Sequence, residues 1–435
     1  MKTHKTHKIN IVTLGCSKNL VDSENLMSQI KNGGYKVVHN SNDTDAKIVI
    51  INTCGFIKDA KEESIDTILE FIKAKKQGII KEVYVMGCLS ERYKDTLRQE
   101  IPEVDEYFKL KDLDKLLNCL NINYKQELLG ERELHTTSHH AYLKISEGCD
   151  RKCSFCAIPI IRGKHISRPI EELVKETEYL AGKGVKELNL IAQDLTYYGR
   201  DIYKKANLAK LLNELSNING IEWIRLHYTY PAGFPMDLPE LIRDNPKICN
   251  YIDIPVQHIN DKVLKNMRRG INKDETYKLL ETLRNKISGV YLRTTLLVGH
   301  PGETKEAFEE LKKFVKTFRF ERLGVFTYSH EEDTYSYKNF KDEISEKIKT
   351  ERSDELMKIQ NEISYEHNQT MIGKVFDIII DRKENEFYIG RTRYDSPDVD
   401  NEVLIPKEKI ELLTGNIYKS KIISADEYDI YAQII

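Results

Sequence analysis

An α/β fold of two parallel-sheet domains, followed by a small all-β module, is predicted by three observations along the 435 residues. Apolar strand-like runs alternate with helical stretches from residue 8 to about 120. The same alternation resumes at Tyr142 and persists to Tyr328. From residue 372 onward helical periodicity gives way to short runs of alternating apolar and polar residues between turn residues. Strands alternating with helices imply parallel sheets with right-handed crossovers, and short alternating runs imply a small β module.

The first region, 7–120, opens with Ile9-Asn-Ile-Val-Thr-Leu14, which runs into Gly15-Cys16. A helical stretch then stops at Gly33-Gly34. Ala46-Lys-Ile-Val-Ile-Ile51 is a second strand, leading to Thr53-Cys54-Gly55. Ile65, Ile68, Leu69 and Ile72 recur at helical spacing. Glu82-Val-Tyr-Val-Met86 is a third strand, ending in Gly87-Cys88. Cys16, Cys54 and Cys88 therefore each follow a strand, 38 and 34 residues apart, about one βα unit per gap. In a parallel sheet the carboxyl ends of the strands share one edge, where ligands bind. Any one such cysteine is an ordinary packing residue. Three at the same edge, each beside glycine, form a ligand pattern, and the spacing predicts a three-thiolate cluster site. Cys119 and Cys249 fall outside that pattern and read as packing residues. Residues 121–137 read as a polar linker, and His135, His139 and His140 as part of a solvated stretch around it.

The second region, 138–368, contains six strand-like runs: Tyr142–Ser146, Glu187–Gln193, Glu222–Tyr228, Asn250–Val256, Val290–Val298 and Arg322–Tyr328. Six βα units predict an incomplete barrel of the TIM type, with its chemistry at the carboxyl ends of the strands. The first strand runs into Cys149-Asp-Arg-Lys-Cys153-Ser-Phe-Cys156. Three thiolates at C-x3-C-x2-C select zinc or an iron–sulfur cluster. Structural zinc wants a fourth ligand at matching spacing, and His165 does not supply one. Three ligands on a four-iron cube leave one iron open to a substrate. Polar residues gather at the same predicted rim: Gln193-Asp194, His227-Tyr228, Gln257-His258, Arg293 and Gly299-His-Pro-Gly-Glu303. Trp223, the one tryptophan, reads as core. The last region, 371–435, is the β module.

Composition narrows the function classes. The net charge of −2 gives no global basic field for nucleic acid, so no dedicated DNA binding is expected. No 18-residue apolar run is present, so no membrane span is expected. The start, Met1-Lys-Thr-His-Lys-Thr-His-Lys, lacks the apolar stretch of a secretory signal. Six of eight cysteines in two metal-type sets predict a reducing, cytoplasmic setting.

The C-x3-C-x2-C loop after a strand resembles the radical S-adenosylmethionine (SAM) enzymes, and the whole chain resembles the radical SAM methylthiotransferases. That resemblance implies an amino-terminal three-cysteine domain, a radical SAM barrel and a carboxyl-terminal TRAM barrel. It implies two 4Fe-4S clusters: an auxiliary one on Cys16, Cys54 and Cys88, and a radical one on the catalytic trio Cys149, Cys153 and Cys156. SAM contacts are expected from Gln193, Asp194, Arg293, Gly299 and Glu303. Leu14-Gly-Cys-Ser-Lys-Asn-Leu-Val-Asp-Ser-Glu24, Asn52-Thr-Cys-Gly-Phe-Ile57, Gly87-Cys-Leu-Ser-Glu-Arg92 and Ile254-Pro-Val-Gln-His258 resemble one branch of the family. That branch adds a methylthio group to the β-carbon of an aspartate in ribosomal protein S-twelve of the small subunit. The alternative is the branch that modifies an adenosine of tRNA. The β module carries 9 Lys and Arg against 13 Asp and Glu over residues 372–435, which suits a basic protein better than a polyanion. The resemblance further implies an electron donor, a sulfur donor and a monomeric enzyme.

Overall fold

The computed structural model describes residues 8–41, 45–128, 130–134, 139–407 and 411–435. Two compact units emerge. The first comprises Met1–His135, Tyr142–Asp150 and Ala157–Leu180; the second comprises Thr136–Ala141, Arg151–Cys156 and Ala181–Ile435.

In the first unit β1 (Lys8–Thr13), α1 (Ser17–Asn32), β2 (Lys36–His39), β3 (Ala46–Thr53), α2 (Lys58–Lys76), β4 (Glu82–Gly87), α3 (Cys88–Glu100), β5 (Glu106–Tyr107) and α4 (Leu113–Cys119) follow in order. The strands pair in parallel in the order β2-β1-β3-β4-β5. Central β3 reads Ala-Lys-Ile-Val-Ile-Ile-Asn-Thr and is buried on both faces, hence its near-continuous β-branched run. Ile48 and Ile50 pack on one side with Leu26, Met27 and Ile30 of α1. Val49 and Ile51 pack on the other with Ile68 and Ile72 of α2. β2 and β5 are edge strands of four and two residues that hydrophobic periodicity did not resolve.

The chain continues through β6 (His140–Lys144), β7 (Ser146–Glu147), α5 (Ile158–Ile161), β8 (Ile166–Ser167) and α6 (Ile170–Gly182). β7 and β8 form a small antiparallel pair. In the second unit, β9 (Glu187–Ile191), α7 (Leu208–Ser216), β10 (Trp223–Leu226), α8 (Leu238–Asp244) and β11 (Ile248–Asp253) come next. They are followed by α9 (Asp261–Asn266), α10 (Lys273–Lys286), β12 (Tyr291–Val298), α11 (Lys305–Phe318), β13 (Arg322–Thr327), α12 (Tyr335–Asn339) and α13 (Glu346–Gln369). The sheet order is β13-β12-β11-β10-β9-β6, with parallel pairing from β9 to β13. This open six-stranded βα sheet is the incomplete barrel that the sequence predicts.

The carboxyl-terminal module is a closed barrel of β14 (Val375–Glu384), β15 (Phe387–Thr392), β16 (Glu402–Pro406), β17 (Ile417–Ala425) and β18 (Asp429–Ile434), ordered β14-β15-β16-β18-β17. Closure removes the exposed edges of so small a sheet. Ile378, Ile380, Val403, Ile405, Ile422 and Ile430 fill it.

The module is joined to the starts of β9, β12 and β13 by a belt of buried charges. Glu187 accepts from Arg225 Nε at 2.9 Å and from Arg391 at 2.8 Å. Arg391 continues to Asp381 at 2.7 Å, and Asp381 pairs with His139 Nε2 at 2.7 Å. Arg322 meets Asp395 at 2.5 Å, and Asp400 accepts from Tyr251 at 2.7 Å and Arg293 Nε at 3.3 Å. Buried charges persist only when paired in this way.

Three expectations are corrected by packing. His139 and His140 are buried rather than solvated, His139 through its bond to Asp381; His135 lies outside the described residues. The stretch expected as a solvated linker is anchored within the first unit, where fully buried Arg132 bonds Glu24 at 2.8 Å and Glu176 at 2.9 Å. Cys119 ends α4 exposed, because its helix buries Leu116 and Leu117 instead. Cys249 does pack in a core, with Trp223, Tyr251 and Tyr291.

Candidate metal centres

The first thiol trio is assembled by the parallel sheet. Cys16 follows β1 as the residue capping α1, Cys54 follows β3, and Cys88 follows β4 as the first residue of α3. Gly15 allows the first two loops to meet: a Cβ there, at φ 87°, would stand 2.7 Å from Cys54 Cβ. Asn19, on the first turns of α1, ties the strand ends together. Its Nδ2 donates to Leu14 O at 2.9 Å and Thr53 O at 3.1 Å. Its Oδ1 accepts from Arg162 at 2.6 Å and from Cys88 Sγ at 3.6 Å. The amide orientation is fixed, since only that rotamer matches two carbonyls and one guanidinium.

Electrostatics mark the trio as a place for a cation. Cys54 is pushed up by burial, and the Cys16 thiol adds to the effect. Cys88 is pushed up to about 12 by burial, with Cys16 and Cys54 raising it and Arg162 opposing them. Cys54 and Cys88 are buried and Cys16 is exposed; the three sulfurs take the thiolate form together only when a metal balances the charge. Among the described residues no three Cys, His, Asp or Glu side chains converge tightly enough for a single metal ion. An all-sulfur donor set is the chemistry of a multi-iron cluster, which accepts soft thiolates.

Arg162, from the segment after α5, enters this corner. It donates through one nitrogen to Asp22 at 3.1 Å and Glu147 at 2.9 Å, and through the other to Asn19 and to Cys88 Sγ, the latter at 3.5 Å. Lys144 bonds both Asp22 and Glu147. Burial opposes ionisation of Glu147, yet Lys144 and Arg162 hold its carboxyl down at about 2.

The second trio lies in the loop beyond β7. Cys149 N donates to Gly163 O at 3.0 Å in the first unit. The preceding Gly148 sits at φ 72°, where a Cβ would be 2.0 Å from Lys164 O, so this turn excludes any side chain. In the second unit Cys156 N donates to Cys153 O at 3.3 Å, and Cys153 Sγ accepts from Arg269 at 3.2 Å. Tyr230 OH lies 3.5 Å from the same sulfur. Arg151 and Arg269 both stand over its ring, 4.0 and 4.2 Å from the ring centroid. Thiol donor chemistry and the cationic neighbour of Cys153 again suit an iron–sulfur cluster.

The expected SAM-binding residues separate into two groups. Gln193 is half-buried just past the carboxyl end of β9. Asp194 is buried beside it, accepting from Thr196 N at 2.8 Å and from Arg151 Nε, inside the cysteine loop, at 2.7 Å. Gly299 and Glu303 form the turn after β12: Gly299 N donates to Glu303 at 2.8 Å, and Arg352 bonds the other carboxylate oxygen at 2.6 Å. These four stand at carboxyl ends of strands. Arg293 does not join them. It is the third residue of β12 and pairs with Asp253 and Asp400 in the belt under the module. Burial pushes Glu303 up against the pull of Arg352, and drives His258, 3.8 Å away, down to about 3.

Arg151, Arg162, Tyr230 and Arg269 were not singled out from sequence. The available signal was weak: Arg151 lies inside the cysteine motif, and Arg162 follows it by six residues.

Three family models match successive stretches of the chain. The Radical SAM superfamily model matches residues 143–315, uncharacterized protein family UPF0004 matches 8–109, and the TRAM domain matches 372–435. A solved radical S-adenosylmethionine methyltransferase, TsrM from Kitasatospora setae, superposes with a TM-score of 0.57 at 13% identity, over 74% of this chain and 72% of that one, which shows the fold. Ribosomal protein uS12 methylthiotransferase RimO of Christiangramia forsetii is 57% identical over 99% of this chain and 95% of its own length. The same-named protein of Phocaeicola vulgatus is 56% identical over 99% and 100%. At that identity and coverage, the chain belongs to the RimO family of radical SAM methylthiotransferases.

Proposed function

We propose that this chain adds a methylthio group to the β-carbon of an aspartate in ribosomal protein uS12. It carries one 4Fe-4S cluster on Cys149, Cys153 and Cys156 and a second on Cys16, Cys54 and Cys88. The observation that carries the reading is the presence of two separate thiol trios in a member of a family named for this reaction. When bound, the clusters and SAM supply the one-electron and radical chemistry that an unactivated C–H bond requires and that no side-chain base offers. The chain's own residues hold and place. Gln193, Asp194 and the Gly299–Glu303 turn border the SAM site, with Asp194 fixing Arg151 of the cysteine loop. Arg293 serves in docking the module. A low-potential electron donor and a sulfur source of the cell complete the reaction, and the enzyme works as a cytoplasmic monomer. No helix among the described residues is long and apolar enough to cross a membrane.

The rival substrate is a tRNA adenosine. The acidic count of the module argues against it, though less strongly than the sequence suggests. Asp395 and Asp400 are turned inward onto Arg322 and Arg293, so the outer face is nearer neutral than the count implies. Mass spectrometry of uS12 and of total tRNA from a deletion strain decides between them. Loss of methylthioaspartate with unchanged tRNA is expected; loss of a methylthio nucleoside with intact uS12 would reverse the assignment. Iron and sulfide analysis with EPR on anaerobic protein tests the count: Cys54→Ala is expected to keep about half the iron.

A further inference from the structure

Arg162 belongs by sequence to the segment just past the second thiol trio, yet its side chain reaches the first. One guanidinium nitrogen is anchored on two carboxylates, Asp22 at 3.1 Å and Glu147 at 2.9 Å. The other faces Asn19 Oδ1 at 2.6 Å and Cys88 Sγ at 3.5 Å. The side chain is 2% exposed and Cys88 is 5% exposed, so solvent barely screens the charge from the sulfur. Guanidinium does not titrate at any working pH, so the charge is permanent. Cys16, by contrast, is exposed.

We infer that Arg162 sets the reduction potential of the cluster held by Cys16, Cys54 and Cys88, by fixing a permanent positive charge against the Cys88 sulfur. The inference rests on the two-cluster reading above. Reduction adds one electron to a site already rich in thiolate. A buried cation beside a ligand sulfur stabilises the reduced form more than the oxidised one, and hydrogen bonds to cluster sulfurs act in the same direction. Asp22 oppositely tempers that charge. The two residues should therefore shift the potential in opposite directions, which a merely structural role for the network does not require.

The test is EPR-monitored potentiometry of the anaerobically reconstituted full chain, in a Cys149→Ala/Cys153→Ala/Cys156→Ala background, so that the remaining signal comes from the first trio. Arg162→Gln is expected to lower the potential by at least about tenfold in the redox equilibrium, ~59 mV for one electron. Arg162→Lys, which keeps the charge, should recover most of that shift, and Asp22→Asn should raise the potential. An intact cluster indifferent to Arg162→Gln, or an Arg162→Lys shift equal to that of Gln, overturns the inference. Where Arg162→Gln fails to hold a cluster, Asp22→Asn decides alone: a rise supports the inference and no rise refutes it. If the parent background itself takes up no iron, the two-cluster reading fails and this inference fails with it.

Discussion

Asn19 closes the first thiol corner by bonding two strand-end carbonyls and one guanidinium from a single amide. Asn19→Ala leaves those buried partners unmatched, at a cost of about 2–3 kcal/mol. Anaerobic Asn19→Ala protein is expected to lose iron from the first trio while keeping the EPR signal of the second; equal loss from both would mean general unfolding. Gly148→Ala is the mirror case. Its Cβ would collide with Lys164 O, and the left-handed φ adds strain of roughly 1–3 kcal/mol. Iron at Cys149, Cys153 and Cys156 should fall, as read by EPR of the Cys54→Ala background. The cysteines at strand ends were legible in sequence because glycine and periodicity frame each one. The arginines on their sulfurs were not, since Arg162 and Arg269 meet Cys88 and Cys153 from 74 and 116 residues away.

Elements were legible wherever one period ruled for long enough. All six barrel strands fall inside or within two residues of the runs read from sequence. The helical spacing of Ala307, Phe308, Leu311, Val315 and Phe318 places them on one face; α11 buries the first four together with Phe314, while Phe318 is only partly buried. Local capping follows the same logic: Asn272 and Glu275 make a reciprocal capping box at the start of α10. Asn272→Ala should cost about 1 kcal/mol in urea unfolding. The short edge strands β2 and β5 escaped notice because two to four residues carry no period. The expectation for Arg293 departs from the structure for a different reason. Glu187 and Arg322 open their strands and Arg225 and Arg293 interrupt theirs, and a charge in such a place means either a ligand rim or a buried pairing partner. Sequence does not reveal which end of the sheet the β module covers. Arg391→Met would leave Glu187 and Asp381 buried without their shared cation, a loss of about 3–5 kcal/mol. Chemical denaturation with limited proteolysis of residues 372–435 would measure it, and an unchanged midpoint would remove the belt's assigned role.

For the whole molecule, His140 and Glu187 tie stability to pH in the same direction. Burial, helped by Arg391, lowers His140 to about 4 from an ordinary 6.5. A histidine that folds neutral stabilises fully above its unfolded value, and that contribution, roughly 3 kcal/mol, drains as pH falls from 6.5 towards 4. Burial works against ionised Glu187, but Arg391 and Arg225 hold it near 2, below an ordinary 4.5. Its contribution is complete above 4.5 and is lost on the way down to 2. Both groups weaken the fold in acid. Urea midpoints should therefore decline as pH falls from about 6.5 to about 4 through His140, and further below 4.5 through Glu187; a flat profile between 6.5 and 4 would count against this account.

The inward carboxylates Asp395 and Asp400 act as a stopper of opposite sign beneath Arg322 and Arg293. Shortening the protein before residue 372, the obvious way to ask what the last domain recognises, would uncork those guanidinium groups into an unbalanced interior. Such a truncated enzyme would fail through its scaffold rather than its choice of substrate. Mapping recognition on the module calls instead for exchanges confined to its outward face, with the stopper left in place.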